Sequence, residues 1–402
     1  MPLAPGTSPN RPPATAERVQ YFTESVIREM TRLAHRHGAI NLSQGMPDFD
    51  PPEELKEAAC RAIRDGHNQY AITWGAPALR QAISRKAQEF NGLDCDPDTQ
   101  VTVCCGATEC MMASMLALVN PGDEVVVFQP FYENYGPDAL LTGARPVWVD
   151  LHPPGWRFDP AELRRAFSSR TKAIIINTPN NPTGRVFTRE ELGLIAQLCQ
   201  EFNAYALADE IYEYIRFVDV PHVSIAALPG MAERTVTISG LSKTFSVTGW
   251  RLGYCVAPPE VTAGIRKAHD FLTVGAPHPL QVAGAAALDL PATYYEKLRA
   301  DYRRRREVLL PYLAEAGFAF RAPEGAYYVM TDIDAFESGM DDAEFVRWMI
   351  REVGVAAVPG SSFHAPRERG RTKVRFMFAK REDTLHAAGQ RLLQVRDRLA
   401  SR

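Results

Sequence analysis

Residues 172–210 read KAIIINT (172–178), PNNPTGRVFTR, EELGLIAQLCQEFN (190–203) and AYALADE (204–210) in unbroken succession. The first and last are continuous apolar runs bounded by turn residues, the pattern of strands buried on both faces. Between them lie a Pro- and Gly-rich loop and a stretch with helical spacing. Strand, helix and strand in that order build a mainly parallel sheet. Working outward, VTVC (101–104), EVVVF (124–128), RPVWVD (145–150), VTISG (236–240) and LGYCVAP (252–258) repeat the rhythm. The expected fold is α/β, with a large domain over residues 51–295 built on a mainly parallel seven-stranded sheet flanked by helices.

The flanks have a different character. ERVQYFTESVIREMTRLAHRHG (17–38) reads as one amphipathic helix, with Val19, Phe22, Val26, Ile27, Met30 and Leu33 on a single face and Gly38 as its C-cap. NLSQGMPDFDPP follows, rich in residues that stop regular structure. Beyond residue 290, ATYYEKLRADYRRRREVLLPYLAEAG (292–317) reads as a long charged helix. Its basic run, Arg303 to Arg306, is expected to be a solvated face, because Asp301 and Glu307 interrupt the positive field. Short strands (AYYVMTDI, TKVRFMFA) and helices (DAEFVRWMIREVG, DTLHAAGQRLLQVRDRL) complete the chain. The expectation is a smaller α+β domain over 296–402, joined by an N-terminal arm at 17–50 and preceded by a disordered tail at 1–16. No internal repeat is found.

Lys plus Arg (45) nearly balances Asp plus Glu (48), for a net charge of −3. That balance gives no electrostatic reason to expect nucleic acid or an anionic membrane as partner. No apolar run reaches the length of a membrane span, and MPLAPGTSPNRPPATAER has no apolar core of a secretory leader. Seven scattered cysteines suit reduced thiols better than a disulfide framework. A cytoplasmic location is expected. His35, His37, His67, His152, His222 and His364 have no metal-ligand spacing, so no metal is expected. Cys104, Cys105, Cys110, Met111, Met112 and Met115 read as packing residues.

Ligands of open α/β sheets sit at the carboxyl ends of strands, and four constellations fall there. In CCGATE, Gly106, Ala107 and Thr108 lead a strand into a helix. That turn offers backbone N–H groups to a phosphate, or it serves only steric needs. TPNNPTG (178–184) makes a rigid turn presenting the Asn181 amide, or simply a well-made loop. In ADEIY (208–212), Asp209 ends an apolar strand, where it suits a protonated ring nitrogen or a helix N-cap. In SGLSKTFSVTGWRLG (239–253), Lys243 follows a strand among small hydroxylated residues, with Arg251 eight positions later. A lysine held in a desolvated pocket has a lowered pKa and forms Schiff bases. Phosphate cradle, amide, carboxylate, lysine and arginine together match the needs of pyridoxal 5′-phosphate.

NLSQGMPDF, QYAITWGAPALR, GATE, NPGDEV, PFYENY, NTPNNPTG, ADEIY, SKTFSVTGWRLG and VRFMFA occur in the order and approximate spacing of one family. From about residue 20 to its end, the sequence resembles the class I/II aminotransferases, which are fold type I pyridoxal-phosphate enzymes. The resemblance implies that Lys243 holds the cofactor as a Schiff base and that Asp209 partners its ring nitrogen. Asn181 and Tyr212 resemble the pair bonded to the phenolic oxygen, and Tyr132 the aromatic residue stacked on the ring. Ala107, Thr108, Ser242 and Arg251 match phosphate-binding positions. Gly240 stands where some relatives carry a phosphate-binding hydroxyl, and Ser239 or Ser242 substitutes for it. Tyr70 resembles the tyrosine that reaches the neighbouring subunit's phosphate, implying a homodimer with shared sites. Arg375 resembles the clamp on the substrate α-carboxylate, and Gly45 lies in the segment folding over it.

The implied activity is transfer of an amino group from an L-amino acid to a 2-oxo acid by a ping-pong mechanism. Alternatives are an aspartate-specific aminotransferase, a fold type I lyase, decarboxylase or oxidase, or a non-enzymatic ligand-binding module. TVGAPHPLQ (273–281) offers His278 but no Lys or Arg to the side-chain pocket, and Tyr70 and Trp74 are expected near the site mouth. Neutral or aromatic donors are therefore expected.

Overall fold

The computed structural model describes residues 15–401 apart from Tyr21 and Thr23, so almost all of the expected tail at 1–16 lies outside the described residues. In chain order the strands are β1 (Ile40–Asn41), β2 (Val101–Cys104), β3 (Glu124–Gln129), β4 (Arg145–Asp150), β5 (Thr171–Asn177), β6 (Tyr205–Asp209), β7 (Thr235–Gly240) and β8 (Gly253–Val256). They continue as β9 (Ala319–Phe320), β10 (Tyr328–Asp332), β11 (Val355–Ala356), β12 (Val358–Pro359) and β13 (Lys373–Met377). All seven expected apolar runs form one sheet, in the order β2-β8-β7-β6-β5-β3-β4. The pairs among β3 to β7 are parallel, whereas β8 is antiparallel to both β7 and β2. Six strands therefore end at one edge, and β8 starts there.

Alternate residues of these strands feed two separate cores. Val126, Phe128, Ile174 and Ile176 pack with Leu192, Ile195 and Cys199 of helix Arg189–Glu201. Val125, Val127, Ala173 and Ile175 pack with Cys110, Met111 and Met115 of helix Ala107–Leu118. Burial on both faces is why the runs are continuously apolar rather than alternating.

A four-stranded antiparallel sheet, β12-β13-β10-β9, and the parallel pair β1–β11 follow from the N- and C-terminal stretches. The N-terminal helix is shorter than expected. It spans Val26–His37, after a separate turn at Glu17–Gln20, and Val19 is exposed. Ser25 is extended at φ −55°, ψ 121°, and its hydroxyl donates to Glu133 Oε2 at 2.6 Å, drawing the chain out of the helix. Gly38 caps the far end at φ 60°, as expected.

The long helix covers Ala292–Ala316. Its arginine run is not a merely solvated face, since only Arg304 is exposed. Arg305 lies 4.0 Å above the Phe49 ring and donates to Lys380 O at 3.0 Å. Arg306 lies 4.6 Å above Phe217 and donates to Pro323 O at 3.0 Å. A flat guanidinium can stack on a ring and keep its hydrogen bonds, so these side chains pack inward.

Candidate active site

At the edge where β2, β5, β6 and β7 end, the chain encloses a cavity of about 1070 Å³. β2 leads into Gly106, which takes φ 87° and caps helix Ala107–Leu118. The first N–H groups of that twelve-residue helix have no partner within it. A side chain at Gly106 would meet the Arg251 guanidinium at 2.5 Å, and one at Gly253 would strike the backbone of Gly106 and Ala107. Two backbone segments and a guanidinium meet here, and two glycines make the contact possible. Because β8 runs opposite to its neighbours, Arg251 arrives beside the helix N-terminus, with Nη1 donating to Thr248 O at 3.1 Å. Free N–H groups, a positive helix end and a guanidinium make a cradle for a dianion.

Asp209 ends β6 and is buried. Its Oδ2 accepts from the Tyr135 hydroxyl at 2.7 Å, and Oδ1 accepts from Ile211 N at 3.2 Å. Burial pushes the carboxyl up to about 6, against the lowering effect of those two bonds and of Lys243. A cationic ring nitrogen beside it would remove that penalty. Lys243 lies on the short helical turn Leu241–Thr244 and lines the cavity. Its amine stands 3.5 Å from Gly45 O, with the Tyr327 and Tyr212 ring centres at 5.6 and 5.8 Å. Burial, aided by Arg251 and Arg375, holds this ammonium below the ordinary lysine range. That favours the neutral nucleophile.

Arg375 is fully buried on β13. Its Nη1 donates to Asn181 Oδ1 at 2.7 Å and Nη2 to Ser43 O at 2.6 Å. Nε has no partner, and no acidic side chain pairs with this guanidinium among the described residues. The Tyr328 and Phe363 rings hold it at 4.2 and 4.8 Å. A buried cation with an orphan donor and no counter-charge calls for an anionic ligand. Gly45 closes over it: its carbonyl accepts from the Tyr327 hydroxyl at 3.0 Å, and a side chain on Gly45 would overlap Tyr328 Oη.

Most of the residues singled out from sequence line this one cavity. Gly45, Asn181 and Arg375 form one side; Ala107, Thr108, Ser242 and Arg251 form the cradle; Tyr132, Asp209, Tyr212 and Lys243 lie between. Ser239 is a correction. Its hydroxyl donates to Glu213 Oε1 at 2.6 Å, inside a buried network of Lys86, Asn91, Glu210 and His222 on the other side of the strand. Ser242 alone of the two serines lines the cavity. Tyr70 is 83% exposed and, like Trp74 and His278, is not among the cavity-lining residues. Sequence reasoning missed Tyr135, Tyr327 and Tyr328. Adjacent tyrosines in AYYVM were a signal, but one equally suited to a buried strand.

Behind the cradle lies a second buried network. Glu109 accepts from Cys105 N and stands 2.6 Å from His269 Nδ1, while His269 Nε2 donates to Thr73 O at 2.9 Å. Burial alone would raise Glu109, yet the His269 bond and charge hold it low; burial alone would lower His269, yet Glu109 holds it high. Cys104, Glu109 and His269 form one tight group of metal-ligand types, and Glu210, Glu213 and His222 form another. In both, the carboxylates and the imidazole are already engaged with each other and with protein donors.

Residues 37–391 match the family model for aminotransferase class I and II. The methionine aminotransferase of Escherichia coli is 39% identical over 386 residues, which cover 96% of this chain and all of that protein. Human kynurenine–oxoglutarate transaminase 1 is 36% identical, across 90% of this chain and 94% of that one. The solved N-succinyldiaminopimelate aminotransferase of Mycobacterium tuberculosis is similar with a TM-score of 0.92 at 42% identity, covering 95% of this chain and 100% of its own.

Proposed function

The chain belongs to the class I and II aminotransferases and is a pyridoxal 5′-phosphate-dependent transaminase, and from that premise we propose which residues do the work and on what substrates. The single observation that carries the assignment is the pairing, in one cavity, of a lysine held below its ordinary range with a fully buried arginine that lacks a counter-charge. The residues present fit the cofactor. Ala107, Thr108, Ser242 and Arg251 would take its phosphate, Asp209 its ring nitrogen, Asn181 and Tyr212 its phenolic oxygen, Tyr132 its ring face and Lys243 its carbonyl carbon. When bound, the cofactor carries the amino group between two substrates and accepts the electron pair released at the substrate Cα.

Arg375 fixes the α-carboxylate, its guanidinium oriented at the cavity wall by Asn181, Ser43 O and the two flanking rings. Asp209 holds a proton on the ring nitrogen, which lowers its own desolvation penalty at the same time. The Lys243 amine, once free of the cofactor, would take the proton from the substrate Cα as general base and deliver it as acid to the cofactor's former carbonyl carbon rather than back to Cα. The Gly45 segment covers the reacting atoms and excludes water.

The side-chain part of the cavity includes Met111, Phe131, Leu140 and Trp148, which suits neutral donors such as aromatic amino acids, methionine or glutamine. Arg28 and Arg367 also line it, and this observation favours a second reading in which the donor ends in a carboxylate. Both arginines are exposed, and Glu24 and Glu133 share the same wall, so the net field at the rim is weak. Neutral donors remain the stronger reading. A homodimer is part of the proposal: Tyr70, Ile72 and Trp74 lie on a segment tied to 269–278, where Phe271, Leu272 and Val274 are also exposed. A cytoplasmic setting completes it.

Borohydride reduction of the cofactor-loaded enzyme followed by peptide mapping should place the label on Lys243; a label on another lysine would overturn the assignment. A donor screen tests the substrate reading, which fails if an acidic donor exceeds every neutral one tenfold in kcat/KM, about 1.4 kcal/mol.

A further inference from the structure

Tyr328 stands at the start of β10 with its side chain fully inside the protein, and sequence reasoning gave it no role. Its Oη is 3.1 Å from Tyr212 Oη. Its ring lies under the Arg375 guanidinium at 4.2 Å, and its hydroxyl sits against the bare Cα of Gly45. The ring is therefore fixed from one side and the hydroxyl from the other.

Each phenol has one hydrogen to give. If Tyr212 donates its hydrogen to the cofactor's phenolic oxygen, as proposed above, the 3.1 Å contact has only one direction left: Tyr328 donates and the Tyr212 oxygen accepts. We infer that Tyr328 is a positioning residue whose hydroxyl donates to Tyr212, strengthening the hydrogen bond Tyr212 makes to the cofactor and so setting the pH at which the Lys243 nitrogen gains or loses its proton. The inference rests on the proposed roles of Lys243 and Tyr212. Chained hydrogen bonds polarise one another in a low-dielectric site. A Tyr212 oxygen that accepts a bond is the better donor, and a phenolic oxygen that receives a stronger bond has less negative charge left to hold the proton on the neighbouring nitrogen, so that proton leaves at a lower pH.

The charged and titratable groups facing Tyr328 are Tyr132, Tyr212, Tyr302, Tyr327, Lys243 and Arg375. Burial pushes Tyr132, Tyr212, Tyr302 and Tyr327 up, so these phenols stay neutral through the working range. Asp209 and Arg251 face Lys243 as well. The proposed pairing with a cationic ring nitrogen removes the burial penalty that lifts Asp209 to about 6, which leaves the nitrogen of Lys243 as the reporter in the loaded enzyme.

The test is a titration of the visible absorbance of the cofactor-loaded enzyme. Tyr328→Phe keeps the ring under Arg375 and removes only the hydroxyl. The midpoint should rise by about half to one pH unit, the equivalent of one neutral hydrogen bond. Tyr212→Phe should raise it further, and Tyr328→Phe added to Tyr212→Phe should change nothing more. An unmoved midpoint in Tyr328→Phe, or an equal shift in both backgrounds, overturns the inference. A Tyr212→Phe midpoint equal to wild type overturns instead the reading on which it rests. Unchanged KM for the amino donor alongside reduced kcat supports the role, because a merely structural change at Arg375 would raise KM first.

Discussion

Substituting Asn for Asp209 tests the electrostatic logic of the site without the cofactor. Burial lifts this carboxyl from 3.8 to about 6, so the ionised side chain is a liability in the empty protein. At about 1.4 kcal/mol per pH unit the liability reaches an upper bound of about 3 kcal/mol. The sign follows from linkage. The folded state binds the proton more tightly than the unfolded one, so the stabilisation is fully present below pH 3.8 and is lost as pH rises through about 6. Asn is isosteric, carries no charge and keeps the acceptor that faces Ile211 N. Its amide can donate to the Tyr135 oxygen in place of the bond Asp209 accepts. Urea unfolding of cofactor-free wild type and Asp209→Asn, at pH 4.5 and 7.5, measures the difference. The variant should gain on wild type by about 2 kcal/mol between the two pH values, because at pH 4.5 part of the full span of about 3 kcal/mol is already lost. With cofactor present the order should reverse, because only the carboxylate can pair with a protonated ring nitrogen. A stability difference that does not change with pH refutes the argument, whatever its size.

Arg375→Lys should lower kcat/KM for every amino donor by about 10²–10³. An ammonium cannot serve Asn181, Ser43 O and a carboxylate together, and two acceptors left unsatisfied cost about 3–4 kcal/mol; steady-state kinetics over several donors checks it. Gly45→Ala forces a methyl group onto Tyr328 Oη. Overpacking of this kind costs about 1–3 kcal/mol, seen as a lower Tm and a raised KM. Glu109→Gln removes the counter-charge of His269, and breaking such a buried pair costs about 3 kcal/mol. Because Glu109 raises the folded His269 above its unfolded value of 6.5, that loss should be fully present below pH 6.5 and fade as pH rises through the folded value. Denaturation at pH 6 and 9 tests this, with imidazole NMR titration to follow His269 itself.

The seven strands were legible because a strand covered on both faces has no polar face to confuse its pattern. The site was legible where a costly residue stood at or just past a strand end, as Asp209 and Lys243 do, whereas Arg375, in the middle of β13, was reached only through the family resemblance. Side-chain direction was not legible. Ser239 and Ser242 are both plausible phosphate partners on paper, and only the backbone shows that β7 aims Ser239 at Glu213. The helix at 17–38 broke because Ser25 found a partner in Glu133, 108 positions away. Tyr328 escaped notice for the opposite reason, since a tyrosine in a buried strand breaks no rule.

The pair of aromatic rings around Arg375 has one more consequence. An arginine free in solution samples many rotamers, and ordering it on binding costs about 2 kcal/mol of entropy. Here Tyr328 and Phe363 have already removed that freedom, so the loss occurs once, when the chain folds, and is not repeated for each substrate. Two substrates must be recognised in every catalytic cycle, and the saving applies to both. The empty protein carries the strain as a solvent-deprived charge, and any small carboxylate that reaches the guanidinium should raise its melting temperature.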